Sequence, residues 1–224
     1  MAQSAALPRW VRPALAAAVT VAAVAAAGLL WLQTRSAAAE GLPTYGTMPA
    51  FELVDQTGKP VTANDLKGKV LAVGFIYTSC TDICPMLTSQ MRGLQENLQQ
   101  AGLLGSQVEL ISISVDPERD TPDRLAEYAG EHGADTATWR FLTGPVAMIK
   151  DVVVSGFLVG MEKAPMRGPA GHEGHTAAAA TAEPYEVNHS GRIVLVDKAG
   201  NLRAFYDGAA LDPVKVIADI KQLR

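Results

Sequence analysis

Short apolar runs of strand character alternate along this chain with segments of helical period, and the two patterns together predict an α/β fold. The only two cysteines, Cys80 and Cys84, stand where one of those runs ends and a helix begins. A third observation concerns the N-terminus, where an uncharged stretch rich in Ala, Val and Leu runs from Pro13 to Thr34. An exported α/β domain behind a single transmembrane helix is expected.

The N-terminal stretch follows Arg9 and Arg12 and is closed by Arg35. About twenty helical residues span roughly 30 Å, the thickness of a bilayer's hydrocarbon core. Trp10 and Trp31 fall near its two ends, where interfacial aromatics belong. A cleaved signal peptide is the competing reading, since Ser36-Ala37-Ala38-Ala39 offers small residues for cleavage. An apolar core longer than the usual ~7–15 residues of such signals favours the anchor. The expected organisation is a cytoplasmic N-terminus (1–12), an anchor (13–34), a linker (35–48) with Gly41, Pro43 and Gly46, and a domain (49–224). Arginines ahead of the span put that domain outside the cytoplasm. In a bacterium this means the periplasmic face of the inner membrane, where an oxidising milieu suits a redox-competent cysteine pair. Three of the 19 basic residues and none of the 23 acidic ones lie in 1–35, so the exported part carries 16 against 23, a net −7. That balance argues against nucleic acid as a partner.

Within the domain, Phe51, Leu53, Val54 and Val61 flank Gln56-Thr57-Gly58-Lys59, a small hairpin with a Gly turn. The unbroken apolar run Val70 to Tyr77 is short enough for a buried central strand. Leu87, Met91, Leu94 and Leu98 then recur on one helical face, with Pro85 tolerated in the first turn. Gln107 to Val115 is a second strand, ended by Asp116-Pro117. Thr121 is an N-cap with Pro122 at the first helical position, and Leu125, Tyr128 and Ala129 supply that helix's apolar face. Trp139 to Leu142 is a short strand and Pro145 to Val154 a helix. From Gly160 to Tyr185 the Gly, Pro and Ala content removes all periodicity, and a flexible insertion is expected (160–185) carrying Met161, Met166, His172 and His175. Ile193 to Val196 and Leu202 to Tyr206 flank Asp197 to Asn201 as a late hairpin. Pro213 to Leu223 closes the chain as a helix with Val214, Ile217, Ile220 and, at its end, Leu223 facing inward. Alternating strands and helices, then a hairpin and a terminal helix, is the thioredoxin-like order.

The chemistry concentrates at Cys80 and Cys84. Residues four apart on a near-helical turn share a face, so the two sulfurs can grip one ion or, after a small closure, bond to each other. A helix N-terminus is expected to favour both as thiolates. Buried cysteines are often only small hydrophobes, but Thr78, Ser79, Thr81 and Asp82 surround this pair with polar groups at the end of a strand. Asp82 can orient a backbone amide or meet a basic partner. His132 is read as solvated; His172 and His175, with the nearby methionines, could recruit metal, against the plainer reading as residues of a flexible loop; Asp116 and Asp120 are read as turn and cap residues.

Phe-Ile-Tyr-Thr-Ser-Cys-Thr-Asp-Ile-Cys-Pro at 75–85, Ser-Val-Asp-Pro-Glu-Arg-Asp-Thr-Pro at 114–122 and Val-Asn-His-Ser at 187–190 together resemble the SCO/SenC family. Those are membrane-anchored, thioredoxin-fold copper proteins that help assemble the copper centre of cytochrome c oxidase. The resemblance implies Cys80 and Cys84 as thiolate ligands and His189 as the imidazole ligand of Cu(I) or Cu(II). It implies the copper-receiving subunit of the oxidase as partner, with other copper chaperones or thioredoxin-like reductants beside it. Thr81 stands where the family commonly has Pro, and Ser190 where it has Thr. The long insertion is unusual for it. Two functions share these residues: a copper metallochaperone, and a thiol–disulfide oxidoreductase reducing a partner's cysteines through the Cys80–Cys84 pair. They separate at His189, which copper needs and exchange does not. A thiol peroxidase would ordinarily have Thr where Tyr77 stands.

Overall fold

The computed structural model describes residues 41–81, 83–165 and 185–223, together with positions 23, 24 and 26. Its centre is β4 (Val70–Ile76), all seven residues of which are buried. A strand covered on both faces needs this continuous apolar run. β5 (Val108–Ser114) is equally buried and lies parallel to it, in register from Val70 opposite Val108 to Ile76 opposite Ser114. α1 (Ile83–Gln100) makes the crossover between them and buries Leu87, Met91, Leu94 and Leu98, the predicted face. Each such leucine contributes about 1.5–3 kcal/mol by leaving water.

The remaining elements extend this βαβ unit in both directions. β1 (Gly46–Thr47), β2 (Glu52–Asp55) and β3 (Pro60–Thr62) precede it, the last two forming the predicted hairpin with Leu53 opposite Val61. α2 (Pro122–Glu131) is capped by the Thr121 hydroxyl, which accepts the Arg124 N–H. β6 (Trp139–Thr143) follows, parallel to β5. The predicted next helix divides into α3 (Val146–Lys150) and a wider π turn (Asp151–Gly156). β9 (Arg192–Val196) and β10 (Asn201–Asp207) form the late hairpin, with β9 antiparallel to β4. The sheet order is β1-β10-β9-β4-β5-β6-β2-β3.

Three expectations meet a different structure. The later part of the predicted linker is docked rather than free: β1 pairs with β10, and Arg203 donates to the Pro43 and Leu42 carbonyls. At both ends of the predicted insertion the backbone is paired, β7 (Met161–Pro165) running antiparallel to β8 (Tyr185–His189) as a second sheet. In α4 (Pro213–Gln222) the inward residues are Val216, Asp219 and Ile220, while Val214 is 77% exposed. Asp219 tolerates burial because it accepts hydrogen bonds from Tyr206 Oη and Lys215 Nζ, at 2.8 and 2.6 Å.

Among the described residues no helix is long and apolar enough to cross a membrane. Apart from positions 23, 24 and 26, the expected anchor Pro13 to Thr34 lies outside them, as do Asp82, Met166, His172 and His175.

Candidate metal centre

The C-terminal end of β4 delivers the chain into the loop 77–81, and Cys80 and Cys84 flank the start of α1. Cys84 is fully buried and Cys80 nearly so, with no disulfide between them. The Cys84 N–H donates to Cys80 Sγ at 3.4 Å, so the helix N-terminus serves the first sulfur. Its effect on the second is overridden. A hydrogen bond with Cys80, then burial, push the Cys84 thiol well above its ordinary pKa. The expectation that both sulfurs are favoured as thiolates is therefore corrected at Cys84, which withdraws from the water that an exposed helix end would offer.

His189 arrives from the far side of the sequence, at the last position of β8. Its Nε2 stands 3.4 Å from Cys84 Sγ, and its ring meets Tyr77 edge-on at 5.9 Å. Burial holds the imidazole below its usual pKa, against the opposing pull of Cys80 and the Ser190 backbone. At neutral pH it is thus uncharged, the form that can ligate. Its Nδ1 is buried without a hydrogen bond of normal geometry. Where this strand approaches the helix, a Cβ on Gly191 would come within 2.5 Å of Ile83 Cδ1, so the Ile83 side chain would have to move aside for any larger residue.

Typical S and N bond lengths to a d-block ion, about 2.3 and 2.0 Å, separate the two donors by roughly 3.5–3.7 Å across a tetrahedral or trigonal centre. The Cys84–His189 separation is close to that value. Among the described residues no three His, Cys, Asp or Glu side chains stand at closed ligand geometry. Cys80 and His189 share a cavity of about 350 Å³, also lined by Tyr77, Ile83, Arg119 and Tyr185.

Several residues around the centre carry roles that their sequence neighbourhoods conceal. Asp120 is buried, and its carboxylate accepts from the Thr78 N–H at 3.2 Å, Thr78 Oγ1 at 2.6 Å and Ser114 Oγ at 2.5 Å. It therefore ties the cysteine loop to the end of β5, beyond any turn-forming role. Asp116, also buried, accepts from Tyr185 Oη at 2.5 Å and pairs with Arg119 at 3.5 Å. Arg119 lies 3.6 Å over the Tyr185 ring and donates to the Tyr185 carbonyl, while Lys163 pairs with Glu118. The 114–122 segment thus clamps the cysteine loop on one side and the β7–β8 ladder on the other. Acidic and aromatic spacing alone carries no signal for these pairings across 42 to 69 positions.

Comparison with known proteins places this architecture among relatives. Residues 40–224 match the family model described as SCO1/SenC. The SCO1 protein homolog of Bacillus subtilis is 32% identical over 173 residues, covering 76% of this chain and 79% of that protein. The copper-bound structure of Bradyrhizobium japonicum ScoI is 28% identical with a TM-score of 0.59, covering 80% and 99% of the two chains. BsSco, described as having a disulfide switch and as a member of the Sco family of cytochrome c oxidase assembly proteins, is 27% identical with a TM-score of 0.62. It covers 82% of this chain and 98% of its own.

Proposed function

Since the chain belongs to the SCO1/SenC family, we propose that it is a copper metallochaperone, anchored in the bacterial inner membrane by residues 13–34. The ion is held by Cys80, Cys84 and His189 and delivered to the copper-receiving subunit of cytochrome c oxidase. The observation that carries the reading is the 3.4 Å approach of His189 Nε2 to Cys84 Sγ across 105 positions of sequence. Two sulfurs and a neutral imidazole form a donor set that soft Cu(I) accepts, and the imidazole helps retain Cu(II). Copper is bound in the Bradyrhizobium relative, which favours copper over zinc as the ion here.

Ion binding must deprotonate Cys84, whose thiol is held protonated in the free protein. Loading therefore releases protons and weakens as pH falls. The anchor reading rests on the arginine-flanked apolar span and its length.

A second reading has its own support. The Cys84 N–H donates to Cys80 Sγ, which keeps the two cysteines on one turn and suits oxidation to a disulfide, and a disulfide switch is described for the relative BsSco. In that reading a partner's disulfide is reduced as this pair is oxidised, two electrons and two protons passing to the partner. His189→Ala in the full-length chain separates the two. Loss of copper retention with unchanged dithiol–disulfide exchange supports the chaperone site. Equal loss of both makes His189 structural.

A further inference from the structure

The ladder between β7 and β8 puts Met161 directly opposite His189. At the neighbouring pair, the Ser190 N–H donates to the Gly160 carbonyl at 3.2 Å. Hydrogen-bonded and non-hydrogen-bonded pairs alternate along an antiparallel ladder. Met161 and His189 are therefore a non-hydrogen-bonded pair, the kind whose side chains stand closest. Directly opposite residues share a face, their Cβ atoms roughly 4.5–5.5 Å apart. On β8 the residues Tyr185, Val187, Asn188 and His189 line the cavity, and Met161 stands beside it, across the ladder from His189. Lys163, two positions along from Met161, holds Nζ 4.4 Å over the Tyr185 ring, which puts the alternate residues of β7 on the same side. Met161 itself is half-buried and packs against the core.

We propose that Met161 supplies a thioether as a fourth, weaker ligand to the ion held by Cys80, Cys84 and His189. The proposal rests on the copper reading above. Two sulfurs and one nitrogen leave a coordination position open, and the residue across the ladder from the imidazole is a soft donor able to occupy it. Thioether sulfur favours Cu(I) over Cu(II), so its contribution is selective. It tightens the reduced ion, leaves the oxidised one nearly unchanged, and raises the reduction potential of the bound copper. A purely packing role for Met161 predicts none of this, because leucine replaces methionine in a core with little loss.

The test uses the purified full-length chain, reduced and loaded with Cu(I) alone, beside Met161→Leu. X-ray absorption at the copper edge should find three sulfur neighbours and one nitrogen in the unaltered chain, and two sulfurs in the variant. Cu(I) affinity should fall about tenfold in Met161→Leu with Cu(II) affinity unchanged, equivalent to a potential lowered by about 59 mV for one electron. Selenomethionine labelling of the unaltered chain gives an independent readout that needs no folded variant: a selenium neighbour at bonding distance from copper, absent after Met161→Leu. Two sulfurs and one nitrogen in both proteins would overturn the Met161 assignment while leaving the copper site intact. A selenium neighbour that persists in Met161→Leu would also overturn it. Copper bound without the cysteines would instead overturn the reading on which the proposal rests.

Discussion

Asp120→Ala removes the tie between the cysteine loop and β5 without touching a sulfur or the imidazole. Two effects oppose each other. Burial, the largest influence, raises the pKa of Asp120 despite the hydrogen bonds from Ser114 and Thr78, so the ionised carboxylate is itself held at some expense of stability. Its removal, however, takes the acceptor from the fully buried Ser114 O–H, whose oxygen still accepts from the Asp116 N–H, and from the Thr78 N–H. Each unpaired buried donor costs about 1–3 kcal/mol. The Thr78 hydroxyl is partly relieved because Arg124 Nε already reaches it. The orphaned donors win, and the net loss is about 2–3 kcal/mol, or roughly 4–12 °C in Tm for a domain of this size. Urea denaturation of the reduced, copper-free chain measures it, with Cu(I) affinity as the functional readout, expected to fall as the loop loosens. Asp120→Asn keeps an acceptor and loses less. It should also flatten one feature of the pH profile. A carboxyl whose folded pKa is raised binds its proton more tightly when folded, so stability falls as pH rises from about 4 to the raised value. The asparagine variant lacks that slope. A stability within about 0.5 kcal/mol of the unaltered chain in Asp120→Ala, together with unchanged copper affinity, would refute the idea that Asp120 holds the loop.

Two further outcomes are expected. Glu109 is nearly buried between Lys69 and Arg140, and although burial pushes its pKa up, their hydrogen bonds and charges bring it below the usual value. Its stabilisation is therefore present above pH ~4.5 and lost as pH falls. Glu109→Gln should cost about 1–2 kcal/mol at pH 7, discounted for the half-exposed lysine, and converge on the unaltered chain in acid, as urea melts across pH will record. For the anchor, N-terminal sequencing of the mature protein should find residues 13–34 retained in the membrane fraction, whereas a start near Glu40 would mean a cleaved signal peptide.

The parts of the molecule legible in the sequence are those whose signal is local. The apolar run of β4, the helical stripe of α1 and the Thr121-Pro122 start of α2 each declare themselves within a few residues, and they suffice to put Cys80 and Cys84 at a strand–helix junction. His189 was visible only through the resemblance, because its approach to Cys84 is a product of tertiary folding. The same is true of Asp120. A carboxylate before Thr-Pro looks like turn chemistry, and nothing nearby reveals that its acceptors serve Thr78 and Ser114. The ends of the Gly160 to Tyr185 segment escaped periodicity since β7 and β8 are brief and supported by each other rather than by alternation. At α4 two overlapping apolar stripes competed, and the choice fell to a buried Asp219 that hydropathy counts as exposed. At Cys84 the hydrogen bond with Cys80, and then burial, raise the thiol's pKa against a helix dipole worth about 0.3–1 kcal/mol.

The most direct test of the account is an anaerobic copper titration of the reduced full-length chain beside Cys80→Ser and Cys84→Ser, followed by the absorption spectrum of the Cu(II) form. One copper per chain, a thiolate-to-Cu(II) charge-transfer band, and loss of tight binding in both variants are the predicted results. Unchanged affinity in either serine variant would contradict the assignment of the site.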